Sequence, residues 1–498
     1  MKRNLPDILL SQLSNYIASY LALYFPKDRW DDLERHISSA AVEFGYPDVE
    51  KFINHLISSP LTRDHAEMLA SHLTINETYF WREPQSFEIL EQKILPELIQ
   101  IRQQEEKRIR IWSAGCSGGE EPYSIAIALR RNIPDIGKWN ISILASDIST
   151  KILQKAVAGV YSQWSFRSSP GWLKEKYFTE QEKGKFEIVR LVKNMVSFDY
   201  LNLAEDVFPS PVNHTNAMDI IFCRNVLMYF TADRVKQIIG GFYNALVDGG
   251  YLIVGGSELF YQNYPQFEPV NFAGAIVYRK KRVGELHKTT PLIFDFSPKI
   301  DFVENKLEPL GETVKIVEPP KSAMIEQKAV AEIKVPKKSR YEEARQLYSR
   351  GYYSEVIAQF SDFAKTTEEL KLLIRAHANQ GKLSAAVTLC EKAITANKLD
   401  HTIYYLQATI LQEQNQDEQA IASLRRTMYL DPDFVLAYYS LGNILLHHGN
   451  LAGAKKNYRN VLSILEKFQQ DDIIPESEGL TAGRLKEIIN TTIKTNDL

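Results

Sequence analysis

Cysteine is scarce in this sequence, with only three residues among 498, at positions 116, 223 and 390. None of them belongs to the closely spaced pairs that zinc clusters and disulfide frameworks require. We therefore expect no metal site and no disulfide bond, and a reducing compartment suits these isolated thiols.

Long apolar runs and an excess of basic residues are also missing. No segment approaches the ~20 apolar residues that span a bilayer, and the residues after Met1 form an amphipathic pattern rather than a signal-peptide core. The formal net charge is −3, whereas binding to phosphates needs a basic surface. We expect a cytoplasmic protein that neither inserts into a membrane nor binds nucleic acid.

The chain is too long for one hydrophobic core, and its patterns divide it into domains. Apolar residues at helical spacing predict an N-terminal helical domain over 1–75. From Arg108 short β-rich runs alternate with helical patterns, which predicts an α/β domain with parallel strands over 76–283. A turn signal near Gly184 indicates a small β insertion at about 160–195.

Two short segments close the α/β pattern. Residues 275–278 fit an antiparallel edge strand, and we interpret the basic run at 279–282 as a solvated strand end. Many prolines and no sustained period then predict a flexible linker over 284–338.

An internal repeat follows the linker. Gly381, Asn415 and Gly449 lie 34 residues apart in succession, and alanines at 386, 420 and 454 keep this spacing. The period is typical of tetratricopeptide helix pairs, with a plain helical bundle as the alternative. We predict three repeats over 339–465, with an irregular first copy near Gly351, and a C-terminal helical tail over 466–498. The groove of such a stack binds peptides or helices, so we expect a protein partner there.

A stretch rich in small residues, at 112–124, follows the first strand of the α/β pattern. It lacks the Lys-Ser/Thr of a phosphate loop and the GxGxxG spacing, and it carries Glu120 and Glu121 where a pyrophosphate would need donors. Asp147 ends the next strand, where a carboxylate can accept hydrogen bonds from ribose. Acids at a helix start also favour the helix dipole. Together these acids suit a phosphate-free, positively charged nucleoside such as S-adenosylmethionine.

Two further stretches place polar side chains where ligands bind. Residues 76–83 join the helical and α/β domains and offer Asn76, Thr78 and Arg82 as converging donors at an interdomain cleft. Residues 222–230 place an arginine, an amide and a tyrosine where a buried strand opens into a loop. Each stretch alone also fits core aromatics or solvated surface residues, whereas all of them together favour a ligand site.

The order of these motifs resembles that of CheR-type chemotaxis receptor methyltransferases. The resemblance rests on Asn-x-Thr-x-Phe-x-Arg at 76–82, the stretch at 112–124, Ser-Asp-Ile at 146–148, Asn202-Leu203 and the stretch at 222–230. The tetratricopeptide repeats resemble those of one branch of that family. The implied fold is a Rossmann-like S-adenosylmethionine-dependent methyltransferase with a small N-terminal helical domain, a small β insertion and a C-terminal all-α tetratricopeptide stack.

The resemblance also implies a reaction and a set of site residues. The family transfers a methyl group from S-adenosylmethionine to glutamate side chains on the cytoplasmic domains of chemoreceptors, leaving S-adenosylhomocysteine. By motif position, the implied cofactor-binding residues are Asn76, Thr78, Arg82, Glu121, Asp147, Asn202, Leu203, Arg224 and Asn225. Asp147 is the implied ribose ligand, and Arg82 and Tyr229 are the implied catalytic residues, with Tyr229 facing the methyl group.

A glutamate carboxylate is ionised near neutral pH and needs no general base, so positioning is the expected task of this enzyme. Two other functions stay open. A scaffold or regulator could bind S-adenosylmethionine as a signal while the repeats recruit signalling partners. The enzyme could also methylate another acceptor, because cofactor motifs do not choose the acceptor.

Overall fold

The computed structural model describes residues 5–21, 23–59, 63–73, 77–104, 106–258, 266–272, 275–281, 339–360, 364 and 366–495. The predicted linker at 284–338 lies outside these residues, so the domain boundaries stay predictions.

The N-terminal domain is helical, as predicted. Its helices are α1 (Asp7–Tyr20), α2 (Trp30–Glu43), α3 (Val49–Ser58) and α4 (Arg63–Leu73). Their apolar faces pack around Leu13, Leu33 and Phe52, whose side chains are buried. Tyr229 belongs to the same buried cluster, so the helical domain packs directly against the α/β domain.

The α/β domain is built on a mixed sheet. Its strands and those of the insertion are β1 (Arg108–Ala114), β2 (Asn140–Asp147), β3 (Val160–Ser162), β4 (Phe178–Gln181), β5 (Lys185–Ile188), β6 (Val196–Tyr200), β7 (Met218–Cys223), β8 (Leu246–Val254), β9 (Phe267–Phe272) and β10 (Ala275–Lys280). Its helices are α5 (Pro84–Ile89), α6 (Leu95–Arg102), α7 (Glu120–Asn132), α8 (Thr150–Ala158), α9 (Gly171–Tyr177), α10 (Arg190–Lys193) and α11 (Ala232–Ala245).

The strand order places a ligand crevice at the centre of the sheet. The order is β6-β2-β1-β7-β8-β10-β9, and the first five strands in that order are parallel. The connections run in opposite directions on either side of the β1/β7 pair, and ligands of open α/β sheets bind beyond the carboxyl ends of the strands at such a point. The Rossmann-like fold predicted from the sequence is therefore confirmed.

The antiparallel strands differ from the prediction in one respect. β10 pairs antiparallel with β8, but β9 pairs with its other side, so β9 and not β10 forms the edge. Pro269 makes the β9 segment look unlike a strand in the sequence, and proline is tolerated on edge strands because they have ladder positions without a partner. β3, β5 and β4 form a separate three-stranded antiparallel sheet, which confirms the β insertion.

The C-terminal region is a stack of helix pairs. Its helices are α12 (Arg340–Ser349), α13 (Tyr353–Phe360), α14 (Thr367–Asn379), α15 (Leu383–Ala396), α16 (His401–Glu413), α17 (Asp417–Leu430), α18 (Val435–His447), α19 (Leu451–Leu465) and α20 (Ala482–Thr495). No helix in the described part of the chain has both the length and the apolar character needed to cross a membrane.

The turn inside each helix pair has the same backbone geometry. Gly351, Gly381, Asn415 and Gly449 have φ angles of 76°, 69°, 58° and 75°, in the left-handed region that glycine and asparagine tolerate. The described residues thus form four pairs rather than the predicted three. The shorter spacing between Gly351 and Gly381 conceals a complete first pair.

The repeat stack packs against the amino-terminal ends of the parallel strands. Arg110 of β1 forms an ion pair with Glu413 at 2.9 Å, and both side chains are less than a tenth exposed. Asn140, at the start of β2, donates to the carbonyl oxygen of Glu413 at 2.9 Å. Asn216, which precedes β7, donates to the Glu413 carboxylate at 2.6 Å. These contacts therefore lie at the amino-terminal ends of the strands, whereas the expected ligand crevice lies at their carboxyl ends.

Part of the face predicted to bind a partner is used by the chain itself. Glu413 and Arg375 lie on α16 and α14, the first helices of two pairs. Glu413 contacts the α/β domain, while Arg375 forms an ion pair with Glu476 of the C-terminal segment. A partner of the groove is therefore restricted to the surface that these contacts leave open.

Lys280 contradicts the interpretation of residues 279–282 as a solvated strand end. Its side chain is 1% exposed, and Nζ donates to the carbonyl oxygens of Tyr243, Leu246 and Gly351 at 3.0, 2.8 and 2.9 Å. Burial lowers the pKa of Lys280 to about 8, although the charge of Asp248 opposes the shift. The residue ties the end of β10 to the first turn of the repeat stack.

We expect the buried ion pair between Glu413 and Arg110 to hold the repeat stack against the α/β domain. Replacing Glu413 by alanine leaves the Arg108 and Arg110 guanidinium groups buried without their partner carboxylate. Breaking such a pair costs about 3–5 kcal/mol of stability. We expect a lower midpoint in urea denaturation followed by tryptophan fluorescence. The matched control is Glu418→Ala, an exposed residue nearby, and an equally small effect of both changes would contradict the role of Glu413.

Candidate active site

A cavity of about 330 Å³ opens between the N-terminal helical domain and the carboxyl ends of β1, β2 and β7. Its volume falls at the lower end of the range for small-molecule sites. The predicted site residues that line it are Thr78, Arg82, Glu121, Asp147, Asn202, Leu203, Arg224, Asn225 and Tyr229. Asn76 lies outside the described residues. Residues from separate motifs thus meet at one cavity, while their individual roles stay predictions.

The turn between β1 and α7 needs small residues. Gly119 has a φ of 90°, and a Cβ added there would lie 2.9 Å from the Tyr161 hydroxyl. A Cβ at Gly115, whose φ is 78°, would lie 2.4 Å from Cγ2 of Val226. The β1 turn therefore packs directly on the loop that follows β7, and the two loops form one continuous wall of the cavity.

A buried ion pair joins these two loops. Glu121, in the first turn of α7, accepts hydrogen bonds from Ser113 Oγ at 2.8 Å and from Arg224 Nη1 at 3.1 Å. The Arg224 side chain is 2% exposed, and its Nη2 donates to the carbonyl oxygen of Arg82 at 2.6 Å. Burial raises the pKa of Glu121, and the charge of Arg224 opposes that shift. Arg224 thus connects α7, the β7 loop and the 77–83 segment.

Asp147 is held at the end of β2 by backbone donors. Its Oδ2 accepts from the Ser117 N–H at 2.9 Å and its Oδ1 from the Ser149 N–H at 3.0 Å. Burial raises its pKa, and these hydrogen bonds oppose the shift. The carboxylate is therefore fixed in orientation at the cavity wall.

Arg82 and Tyr229 differ in how firmly they are held. Arg82 is partly exposed, and its guanidinium donates to the carbonyl oxygen of Glu77 at 2.8 Å. Tyr229 is 9% exposed, its ring lies 5.2 Å from the Arg29 guanidinium, and its carbonyl oxygen accepts from the Tyr24 N–H at 2.7 Å. The tyrosine is thus anchored by the helical domain, whereas the arginine is more exposed and is bonded within its own segment.

The sequence motifs did not reveal the contribution of the helical domain. Leu21 and Leu23 line the cavity and are 4% and 3% exposed. In the sequence they resemble any other core residues at the end of a helix, because no polar pattern distinguishes them. The contact between Tyr24 and Tyr229 was the connection that sequence reasoning missed.

The cavity suits S-adenosylmethionine. Three acids (Glu77, Glu121 and Asp147) and two arginines line it, and the excess of acid favours a positively charged ligand over a phosphate. Ser117 Oγ and Arg224 Nε are buried and have no hydrogen-bond partner in the part of the chain that the structure describes. Buried polar atoms of this kind need a partner, which a bound ligand can supply.

Comparisons with known proteins agree with this geometry. The model of the S-adenosylmethionine-binding domain of CheR methyltransferases matches residues 76–276, and a tetratricopeptide repeat model matches residues 401–434. A chemotaxis protein methyltransferase of Borreliella burgdorferi is 36% identical over 228 residues, which cover 45% of this chain and 79% of that protein. Chemotaxis protein methyltransferase 2 of Vibrio cholerae is 36% identical over 222 residues, covering 45% of this chain and 75% of that protein.

A third relative matches the chain with similar identity and coverage. Chemotaxis protein methyltransferase 1 of Pseudomonas aeruginosa is 35% identical over 221 residues, which cover 43% of this chain and 77% of that protein. These relatives are covered over most of their length, and the predicted site residues at the cavity, from Thr78 to Tyr229, lie within the matched residues 76–276. The chain therefore belongs to the CheR family of chemotaxis methyltransferases, enzymes that take the methyl group from S-adenosylmethionine.

Proposed function

We propose that this enzyme methylates glutamate side chains on the cytoplasmic domains of chemoreceptors, that it works in the cytoplasm, and that its product is a glutamyl methyl ester. The observation that carries the proposal is the meeting of Arg82, Tyr229, Arg224 and Asp147 at one cavity of a CheR domain. The names of the relatives, which specify chemotaxis, support a receptor as the acceptor.

The cofactor residues divide into direct ligands and supports. Asp147 is the proposed ligand of the ribose hydroxyls, because its fixed carboxylate lines the cavity at a strand end. Glu121 is already bonded to Ser113 and Arg224, so its part in cofactor binding is to hold that arginine. Asn202, Leu203 and Asn225 complete the wall.

The acceptor residues work by positioning. S-adenosylmethionine, when bound, supplies a methyl group attached to a positively charged sulfur. Arg82 and Tyr229 lie at the same cavity and can hold the oxygens of an acceptor carboxylate in line with that group. Too strong an ion pair would stabilise the ground state. The partial exposure of Arg82 limits that cost, because water screens its charge.

The repeats have a separate proposed role. Their contacts with Arg110 and Asn140 lie at the amino-terminal ends of the strands, away from the cavity, so these contacts do not shape the acceptor site. The C-terminal tail reaches further, because Arg484 of α20 forms an ion pair at 2.5 Å with Asp206, which accepts from the N–H of the cavity residue Asn202. We assign to the repeats the recruitment of a further protein partner, since tetratricopeptide stacks bind peptides and helices. The choice among acceptors therefore lies in the helical domain, the β insertion and this recruitment.

The nature of the product tests the proposal. Membranes that contain chemoreceptors, incubated with the enzyme and methyl-labelled S-adenosylmethionine, should acquire label in receptor bands. We expect alkali to release the label as methanol, because a glutamyl ester hydrolyses readily. Base-stable label would indicate an amine acceptor, label confined to other proteins would exclude the receptor, and absence of any product would favour a scaffold.

Variants of the two acceptor residues test their roles. We expect Arg82→Ala and Tyr229→Phe to lower kcat about 100-fold, because each removes a donor that holds the acceptor carboxylate. Thermal denaturation should show that both variants remain folded. Arg345→Ala and Tyr429→Phe, at exposed positions of the repeat stack, serve as matched controls. Full transfer rates in both site variants would refute the assignment.

A cofactor variant tests Asp147 without any acceptor. We expect Asp147→Ala to weaken the binding of S-adenosylhomocysteine about tenfold, the loss of roughly one charge-assisted hydrogen bond. Isothermal titration calorimetry measures this Kd directly. Asp233→Ala, whose side chain is 92% exposed on α11, is the control. Equal affinities in the two variants would show that Asp147 does not contact the cofactor.

A further inference from the structure

Glu258 is a buried carboxylate that the proposed reaction does not use. It lies just after β8 and is 1% exposed. Its Oε2 accepts from the N–H groups of Gly255 and Asn225, both at 2.8 Å. Its Oε1 accepts from those of Val226 and Leu227 at 2.8 Å, and from that of Met228 at a longer 3.4 Å. One carboxylate thus gathers the consecutive N–H groups of residues 225–228.

These donors belong to the loop that follows β7, which forms one wall of the cavity. Arg224, Asn225, Val226, Met228 and Tyr229 all line the cavity. Consecutive backbone N–H groups that converge on one point make a binding site for an anion, and here the anion is a side chain of the same protein. Glu258 therefore bonds to the backbone of this loop, while residues of the loop line the cavity.

The loop conformation needs such support. Asn225 has a φ of 59°, in a left-handed region that asparagine tolerates but that does not by itself fix the following N–H groups on one point. Burial raises the pKa of Glu258, and the N–H groups of Asn225, Val226 and Leu227 oppose that shift by bonding to the ionised form. The carboxylate and the loop thus stabilise each other.

The backbone beside the carboxylate leaves no spare room. A Cβ at Gly255 would lie 2.8 Å from Glu258 Oε2 and 3.2 Å from the backbone nitrogen of Asn225. The same Cβ would lie 3.2 Å from Nδ2 of the Asn225 side chain. A substituent at Gly255 would therefore disturb the same contact from the other side, which provides an independent way to test it.

We propose that Glu258 is a positioning residue for methyl transfer: by binding the N–H groups of residues 225–228, it sets the orientation in which Arg224, Asn225 and Tyr229 face the methyl donor. It touches neither cofactor nor acceptor and acts only through the loop. The proposal rests on the cofactor of the family and is independent of which acceptor is methylated.

The test is the affinity of the full chain for S-adenosylhomocysteine, measured by isothermal titration calorimetry. Glu258→Gln keeps the size of the side chain but replaces one acceptor oxygen with an NH2 group that opposes backbone donors. We expect its Kd to rise at least tenfold at unchanged stoichiometry, and kcat to fall at least tenfold. Glu258→Asp, which keeps the charge on a shorter chain, should recover part of both losses.

Two further variants separate positioning from general stability. Gly255→Ala should weaken binding in the same direction as Glu258→Gln, because it displaces the same carboxylate. Glu97→Gln is the matched control. The Glu97 carboxylate accepts hydrogen bonds from Tyr251 and Arg279, with lengths of 2.7 and 3.1 Å, and does not line the cavity. We expect this substitution to lower the melting temperature without changing the Kd.

The outcomes distinguish the possibilities. A lower melting temperature with a Kd within threefold of wild type, in Glu258→Gln and Gly255→Ala alike, would overturn the proposal and leave Glu258 a structural residue. If Glu258→Gln does not fold, Glu258→Asp and Gly255→Ala decide by the same criterion. Failure of the wild-type protein to bind S-adenosylhomocysteine would instead refute the cofactor site itself.

Discussion

The geometry of the cavity depends on one buried guanidinium, that of Arg224. It contacts Glu121 at 3.1 Å, Glu83 at 3.2 Å and the carbonyl oxygen of Arg82 at 2.6 Å. Its side chain is 2% exposed, and a buried charge is costly unless acids pair with it, as Glu121 and Glu83 do here. Arg224 therefore holds three segments in one arrangement: the start of α7, the junction with the helical domain and the loop after β7. The ion pair of Glu121 and Arg224 thus has a structural role in the cavity in addition to any contact with the cofactor.

The sequence predicted those parts of the site that have a local chemical signature. Asp147 and Arg224 could be placed at the cavity because one ends a buried strand and the other follows one, where ligands of open α/β sheets bind. Leu21 could not, since its role arises only when the helical domain packs on the sheet. Arg110 and Glu413 are some 300 residues apart, so their ion pair leaves no local pattern to read.

The same distinction applies to the fold. The repeat period was visible because each turn requires a residue that tolerates a left-handed backbone, as at Gly449. Lys280 was misread, because a basic run at a strand end is usually solvated and the carbonyl oxygens that surround its amine come from distant segments. Pro269 hid an edge strand for a similar reason: the tolerance of that position depends on its neighbours in the sheet.

The two proposed activities lie at opposite ends of the strands, so the length of the strands separates them. β1 has seven residues, from Arg108 to Ala114, so its two ends are about 20 Å apart. The repeats are attached at one end and the methyl-transfer cavity opens at the other. Binding of the proposed partner to the repeats would raise the local concentration of the enzyme near that partner. Under the proposed recruitment role, the acceptor is therefore a neighbour of the protein that the repeats bind rather than that protein itself.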